Sequence, residues 1–202
     1  MVAGFEKTFE IGRQFRNEGM SREHLQDYSQ MEFYWAYADY EKGMELVERL
    51  IRHVTEKTWG KLKFEMGAFG TVSFAEPWGR IDYTDTIREK TGIDILKADD
   101  SAIRQALEKF GIAVHASDSR GRLIDGLWKY CRKSIAGPVF LVNHPVSVSP
   151  LAKRKEDNPE LTERYQLIIA GSELANGYSE LNDPIDQAAR FAEQRAMREA
   201  GD

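Results

Sequence analysis

Two stretches near the N-terminus alternate residue by residue, and that period of two constrains the chain more than any other feature. Residues 5–18 (FEKTFEIGRQFRNE) put Phe9, Ile11 and Phe15 on one side and Glu10, Gln14, Arg16 and Glu18 on the other. Residues 30–37 (QMEFYWAY) repeat the pattern, with Met31, Phe33, Trp35 and Tyr37 against Glu32, Tyr34 and Ala36. A helix cannot sort these residues into two faces, whereas a strand does so by its pleat. The segment between them, GMSREHLQDYS, is polar and glycine-led. It reads as a long loop joining an antiparallel pair, and long ordered loops often carry function.

The rest of the chain is organised around helical spacing. From Asp39 to Trp59, Met44, Val47, Leu50, Ile51 and Val54 recur at intervals that make one apolar stripe, and Gly60 follows as a C-terminal cap. Residues 62–87 mix short apolar runs with turn signals and read as short strands and loops. Two more helices are expected, from about Ser101 to Gly111 and from about Arg120 to Lys133, as a small insertion over about 98–135. PVFLV at 138–142 and Leu167–Ala170 read as strands. Asp183 followed by Pro184 marks the start of a last helix reaching about Ala200, with Gly201 after it. Strands and helices do not alternate regularly, so the expected class is α+β, an antiparallel β-sheet flanked by helices.

Composition excludes several roles. At 202 residues with 42% hydrophobic and 30% charged residues, the chain has the make-up of a globular domain. No apolar run reaches the ~18 residues of a membrane span, and the N-terminus MVAGFEKTFE has no signal-peptide pattern, so no membrane partner and a cytoplasmic location are expected. A single cysteine, Cys131, excludes a disulfide framework and suits packing. The net charge of −5 argues against a broad phosphate-gripping surface. The basic cluster Lys153, Arg154 and Lys155 is followed by Glu156 and Asp157 and reads as a solvated loop.

Two constellations can carry chemistry. One strand face holds Arg16, Glu18, Glu32 and Tyr34; it is either an exposed polar face or a pocket floor where a guanidinium grips an anion and a carboxylate holds an ammonium. In residues 171–183 (GSELANGYSELND), Glu173, Asn176, Tyr178 and Glu180 fall within eight positions. If extended, Asn176, Tyr178 and Glu180 share a face. That face is either a polar edge strand or an aromatic slot ending in an acid, which suits a long cation.

FRNEG at 15–19 with MEFYWAYADY at 31–40 resembles motif 2 of the class II aminoacyl-tRNA synthetases, in the form found in the lysine enzymes. HPVSVSPLAKRKEDNPELTERYQLIIAGSELANGYSELNDPIDQAARFAEQ at 144–194 is similar to the later substrate-binding strands of the same family. The resemblance spans nearly the whole chain and is weakest in the helical insertion. It implies that residues 1–202 form part of the catalytic domain of a lysine–tRNA ligase. Such an enzyme uses ATP and Mg2+ to convert L-lysine to lysyl-adenylate and passes the lysyl group to tRNA(Lys). Arg16 would bind the α-phosphate and the lysine carboxylate as the main catalytic group. Glu18 would contact adenine, His24 the outer phosphates, and Tyr28 would stack on adenine. Glu32 would hold the α-amino group, Tyr34, Asn176, Tyr178 and Glu180 would surround the side chain, and Glu173 would ligate magnesium.

The chain also departs from the family pattern. Motif 1, which builds the family's homodimer, is expected before residue 1, motif 3 is expected after residue 202, and no anticodon-binding domain is expected within the chain. Gln166 stands where the family carries a second magnesium glutamate, HLQDY replaces the commoner HNPEF, and Tyr178 replaces a phenylalanine. The alternatives are a truncated paralogue that binds lysine or a nucleotide without catalysis, and the related ligase that attaches lysine to an elongation factor.

Overall fold

A computed structural model describes residues 3–17, 19–20, 24–75 and 77–199. The chain divides into two compact units, Met1–Ala38 and Asp39–Asp202. The first unit is an antiparallel hairpin of β1 (Lys7–Phe15) and β2 (Asp27–Trp35). Its register pairs Phe9 with Phe33 and Ile11 with Met31, and so gathers the apolar rows on one face. The second strand starts earlier than the alternation suggests, at Asp27, whose carboxylate takes two contacts from Arg13, the Nε one at 3.1 Å.

The second unit begins with α1 (Tyr40–Trp59), bounded as expected. Asp39 accepts the Lys42 amide at 3.0 Å, and Gly60 closes the helix at φ 66°. Its buried side holds Met44 and Val47, but in the last turn Thr55 is buried and Val54 exposed. A small hairpin of β3 (Lys63–Glu65) and β4 (Thr71–Ser73) follows. The main sheet has the order β5 (Gly79–Asp82), β6 (Val139–Val142), β7 (Arg164–Ile169), β8 (Ser172–Tyr178). Its β6–β7 and β7–β8 pairs are antiparallel, whereas β5–β6 is parallel and is joined through three helices, α2 (Tyr83–Thr91), α3 (Asp100–Lys109) and α4 (Arg120–Arg132). The chain is thus a mixed α and β fold with helices on both faces of a largely antiparallel sheet.

Helix α2 lies where strands and loops are expected from the sequence. Asp82 caps it, its Oδ1 accepting the amides of Thr84 at 2.8 Å and Asp85 at 2.9 Å. Only Tyr83, Thr86 and Ile87 are buried along it, too thin a stripe to stand out by period. Helices α2 to α4 carry the core. Ile87, Ile103, Leu107, Leu123, Ile124, Leu127 and Cys131 pack with Leu141 and Ile168 of the sheet. Each fully buried Ile or Leu contributes roughly 1.5–3 kcal/mol. Burial pushes the Cys131 thiol up to about 11, as suits a packing residue.

On the opposite face, Tyr165 lies between α1 and β8. A Cβ built on Gly43 would be 3.1 Å from its Cε1, and one on Gly177 only 2.5 Å from its Cζ. The ring therefore leaves no room for a side chain at Gly177, whereas at Gly43 the fit would only be tight.

The last helix, α5 (Pro184–Glu199), starts as the sequence indicates, Asp183 Oδ1 accepting the Ile185 amide at 2.9 Å. Its expected end at Ala200 and Gly201 lies outside the described residues. Arg190 on α5 is buried and donates to the carbonyl oxygens of Ser149 at 3.0 Å and Ala152 at 2.8 Å, while Asp186 receives both Arg190 and Arg154. Hydrogen bonds from these two guanidinium groups hold Asp186 well below the usual carboxylate range. The cluster 153–155 is therefore not simply solvated. Arg154 is locked onto Asp186, and Lys155 donates to Asn143 Oδ1 at 2.9 Å.

Gly177→Ala should lower unfolding free energy by about 1–3 kcal/mol, the usual cost of overpacking. Urea unfolding followed by tryptophan fluorescence measures it, and an unchanged midpoint would mean that the Tyr165 ring moves aside freely.

Candidate functional site

In the hairpin, directly opposed residues point to the same face. Thr8, Glu10, Gly12 and Gln14 oppose Tyr34, Glu32, Gln30 and Tyr28, and the Arg16 amide extends the ladder to Gln26 O at 2.9 Å. Arg16, Glu32 and Tyr34 thus share one face, as the alternation suggests, and the earlier start of β2 adds Tyr28 to it. The Arg16 guanidinium carbon lies 5.9 Å from the centre of the Tyr28 ring, within cation–π range. Glu32 accepts from Gln30 at 3.1 Å and sits opposite Glu10, a like-charged pair that a bound cation would relieve. His24 lies in the exposed loop before β2, and Glu18 lies outside the described residues.

In the second unit the site forms where β7 and β8 pair. Asn176 opposes Gln166 and Tyr178 opposes Arg164, so these four share a face. By simple alternation Glu173 would point away from Asn176. The ladder, however, shifts register between Leu167 and Ile168, so that Leu167 opposes Ala175 and Ile168 opposes Glu173. Leu174 becomes the extra residue of a β-bulge and is exposed. The bulge turns Glu173 onto the face of Asn176 and Tyr178. No residue in GSELANGY announces it, so the residues alone assign only Asn176, Tyr178 and Glu180 to a common face.

Three residues that the sequence does not single out by pattern complete this face. Arg164 donates from Nε to Asn176 Oδ1 at 2.8 Å and from Nη1 to Val148 O at 2.5 Å and Ser149 Oγ at 3.0 Å. With that oxygen engaged by a guanidinium, Asn176 has chiefly amide N–H groups to offer a ligand. Arg164, Asn176 and Tyr178, with residues 148–152, line a cleft of about 210 Å³. Gln166, buried, donates from Nε2 to Glu173 Oε2 at 2.6 Å and faces His144 Nε2 through its Oε1 at 3.1 Å. Burial raises the Glu173 pKa, opposed by the Arg164 charge and the Gln166 hydrogen bond. His144 is buried against the Tyr83 ring, 5.0 Å between centres. Burial first and the Arg164 charge second lower its pKa to about 3, against hydrogen bonds to Gln166 and the Arg164 backbone.

Glu180 follows β8 in a short bridge with Ala152, flanked by hydrogen bonds from Lys153 N to Ser179 O at 2.9 Å and Leu181 N to Leu151 O at 3.1 Å. The Arg190 clamp on Ser149 and Ala152 therefore fixes the backbone beside this acid. Partial burial raises the Glu180 pKa. Among the described residues no group of three or more His, Cys, Asp or Glu side chains could hold a metal ion by itself. A lone Glu173 carboxylate does suit magnesium, which takes few protein carboxylates and shares itself with phosphates. No helix of the described residues is long and apolar enough to cross a membrane.

The second unit is thus a mixed sheet with helices on both faces that carries an arginine and an acid on one strand face. Residues 1–201 match the family described as tRNA synthetases class II (D, K and N), and the chain belongs to that family. Among its relatives are proteins named lysine–tRNA ligase from Thermotoga maritima, 46% identical, and Porphyromonas gingivalis strain W83, 40% identical. All of this chain is covered in both cases, against 40% of the first relative and 35% of the second, so the chain spans well under half of their length.

His144 supplies a pH test. Its folded pKa is depressed to about 3, so its contribution is fully present above the unfolded value near 6.5 and is lost as pH falls toward 3. Between pH 7 and pH 5 this group should remove about 2 kcal/mol of stability. Urea unfolding at both pH values should show a loss that shrinks by that amount in His144→Phe. Equal slopes would mean that His144 titrates normally.

Proposed function

We propose that this chain provides the lysine- and ATP-binding part of a lysine–tRNA ligase. The observation that carries the reading is the bulged β7–β8 pairing, which sets Glu173, Asn176 and Tyr178 on one face, in a chain whose full length aligns with lysine–tRNA ligases at 40–46% identity.

Arg16 binds the α-phosphate of ATP and the lysine carboxylate, Tyr28 stacks on adenine, and Glu18 and His24 contact adenine and the outer phosphates. Glu32 holds the lysine α-amino group. Tyr34, Tyr178 and Glu180 receive the side chain, with Asn176 beside them. Glu173 would hold magnesium, which when bound would supply charge neutralisation at the phosphates. The lysine carboxylate attacks the α-phosphorus, forming the mixed anhydride lysyl-adenylate as pyrophosphate leaves. A terminal hydroxyl of tRNA(Lys) then takes the lysyl group and AMP departs. No protein nucleophile takes part, so the contribution of the chain is positioning and electrostatic stabilisation by Arg16. Lysine-dependent exchange of pyrophosphate into ATP separates this reading from a binding module without catalysis.

Glu180 sets the preference for lysine. An ammonium is strongly hydrated, and moving it into an aromatic slot is unfavourable unless a carboxylate meets it. Removing one partner of such a pair costs ~2 to 5 kcal/mol. Glu180→Gln keeps the shape and should weaken lysine binding by roughly thirty-fold or more, with ATP binding little changed. Calorimetric titration of each ligand into both proteins gives the comparison. Unchanged lysine affinity would place the side-chain acid elsewhere.

A further inference from the structure

We propose that Gln166 is a positioning residue for Glu173, held in one orientation from behind by the Nε2–H tautomer of buried His144. The role rests on the reading of Glu173 as the magnesium ligand.

The orientation follows from chemistry. Gln166 lies 2.6 Å from Glu173 Oε2. An amide oxygen at that distance from an ionised carboxylate would meet only lone pairs, so the amide –NH2 must face Glu173. Its oxygen then faces His144 Nε2 at 3.1 Å. An oxygen demands a donor, so the His144 proton sits on Nε2 and Nδ1 is left bare. Nδ1 is buried with no partner in hydrogen-bonding geometry, the Arg164 backbone acting on the ring only weakly against the depression of its pKa.

For the fold alone, this arrangement is a poor bargain. A neutral hydrogen bond contributes only about 1 kcal/mol net, whereas a buried polar atom without a partner costs about 1–3 kcal/mol. An apolar side chain against the Tyr83 ring would avoid the bare nitrogen. What the polar chain gives in return is direction. Gln166 takes Glu173 Oε2 and so leaves Oε1 as the oxygen for a cation, while the Arg164 charge helps keep the carboxylate ionised. Hydrogen-bonded partners behind a metal ligand commonly contribute 10–100-fold in affinity.

The test has two readouts. In the ¹⁵N-labelled parent protein, long-range ¹H–¹⁵N correlations report the His144 tautomer at pH 7.5. The expected result is Nε2–H, and Nδ1–H would overturn the proposal because Gln166 would then have to be turned around. This readout needs no variant and so survives one that fails to fold. The second readout is binding of Mn2+ in the presence of ATP, followed by water-proton relaxation. Gln166→Met and His144→Phe should each weaken it about tenfold or more, and Glu173→Gln should weaken it further. If Glu173→Gln leaves Mn2+ binding unchanged, the metal reading of Glu173 falls and this proposal with it. If Glu173→Gln weakens binding while Gln166→Met does not, Glu173 remains the ligand and the positioning role of Gln166 alone is refuted.

Discussion

The pairing of β7 with β8, with its one irregular step, is the constraint on which the second unit depends. Before the step the ladder carries Arg164 against Tyr178 and Gln166 against Asn176. After it, Ile168 stands against Glu173. Ile168 is fully buried in the core under α2 to α4, so one face of one strand pair serves both as the floor of the hydrophobic core and as the base of the polar site. A one-residue slip in a sheet moves every side chain to the other face. Here the slip is confined to Leu174, and only Glu173 and its neighbour Ser172 are re-aimed. Burial of Ile168 holds the register on the core side, which makes the aim of Glu173 a consequence of hydrophobic packing.

Helix α5 has a comparable double role through Arg190. A guanidinium so fully buried needs several acceptors at once. It finds them in the carbonyls of Ser149 and Ala152 and in Asp186, which in turn fixes Arg154. The segment 149–152 has little regular structure of its own, so this clamp substitutes for a ladder. Because Ala152 bridges to Glu180 and Leu151 to Leu181, the same clamp defines where the chain leaves β8.

What the sequence makes legible is what depends on local period and on caps. The shared face of Arg16, Glu32 and Tyr34 follows from alternation. Helix α1 follows from its stripe between Asp39 and Gly60, and the start of α5 from Asp183 and Pro184. Features set by contacts across the sequence are hidden. The bulge depends on what Ile168 must bury, and the parallel β5–β6 pair on where three helices pack. Arg164 and His144 look unremarkable in their segments, because their roles arise from partners at Asn176, Val148 and Gln166. The basic cluster at 153–155 misleads for the same reason, since its acidic partner Asp186 lies on another element. Helix α2 escapes detection because its buried side is short and its cap, Asp82, is itself the last residue of β5. The pocket roles proposed for the site residues rest on resemblance rather than on pattern.

The electrostatics of β8 and its flanks are divided along the chain. At Glu173 the cost of burial is opposed by the positive charge of Arg164 and by Gln166, so the carboxylate is already partly compensated within the protein. At Glu180 burial raises the pKa with no opposing charge of comparable weight. A carboxylate whose surroundings disfavour its charge, and which lacks an internal cation, gains the most from an external one. A ligand cation arriving there would lower the Glu180 pKa, so binding and ionisation are coupled and reinforce each other. The same coupling is weaker at Glu173, where Arg164 already supplies part of the compensation. Of the two acids, Glu180 therefore has the more to gain from an external cation, and Glu173 is the one already partly compensated within the protein.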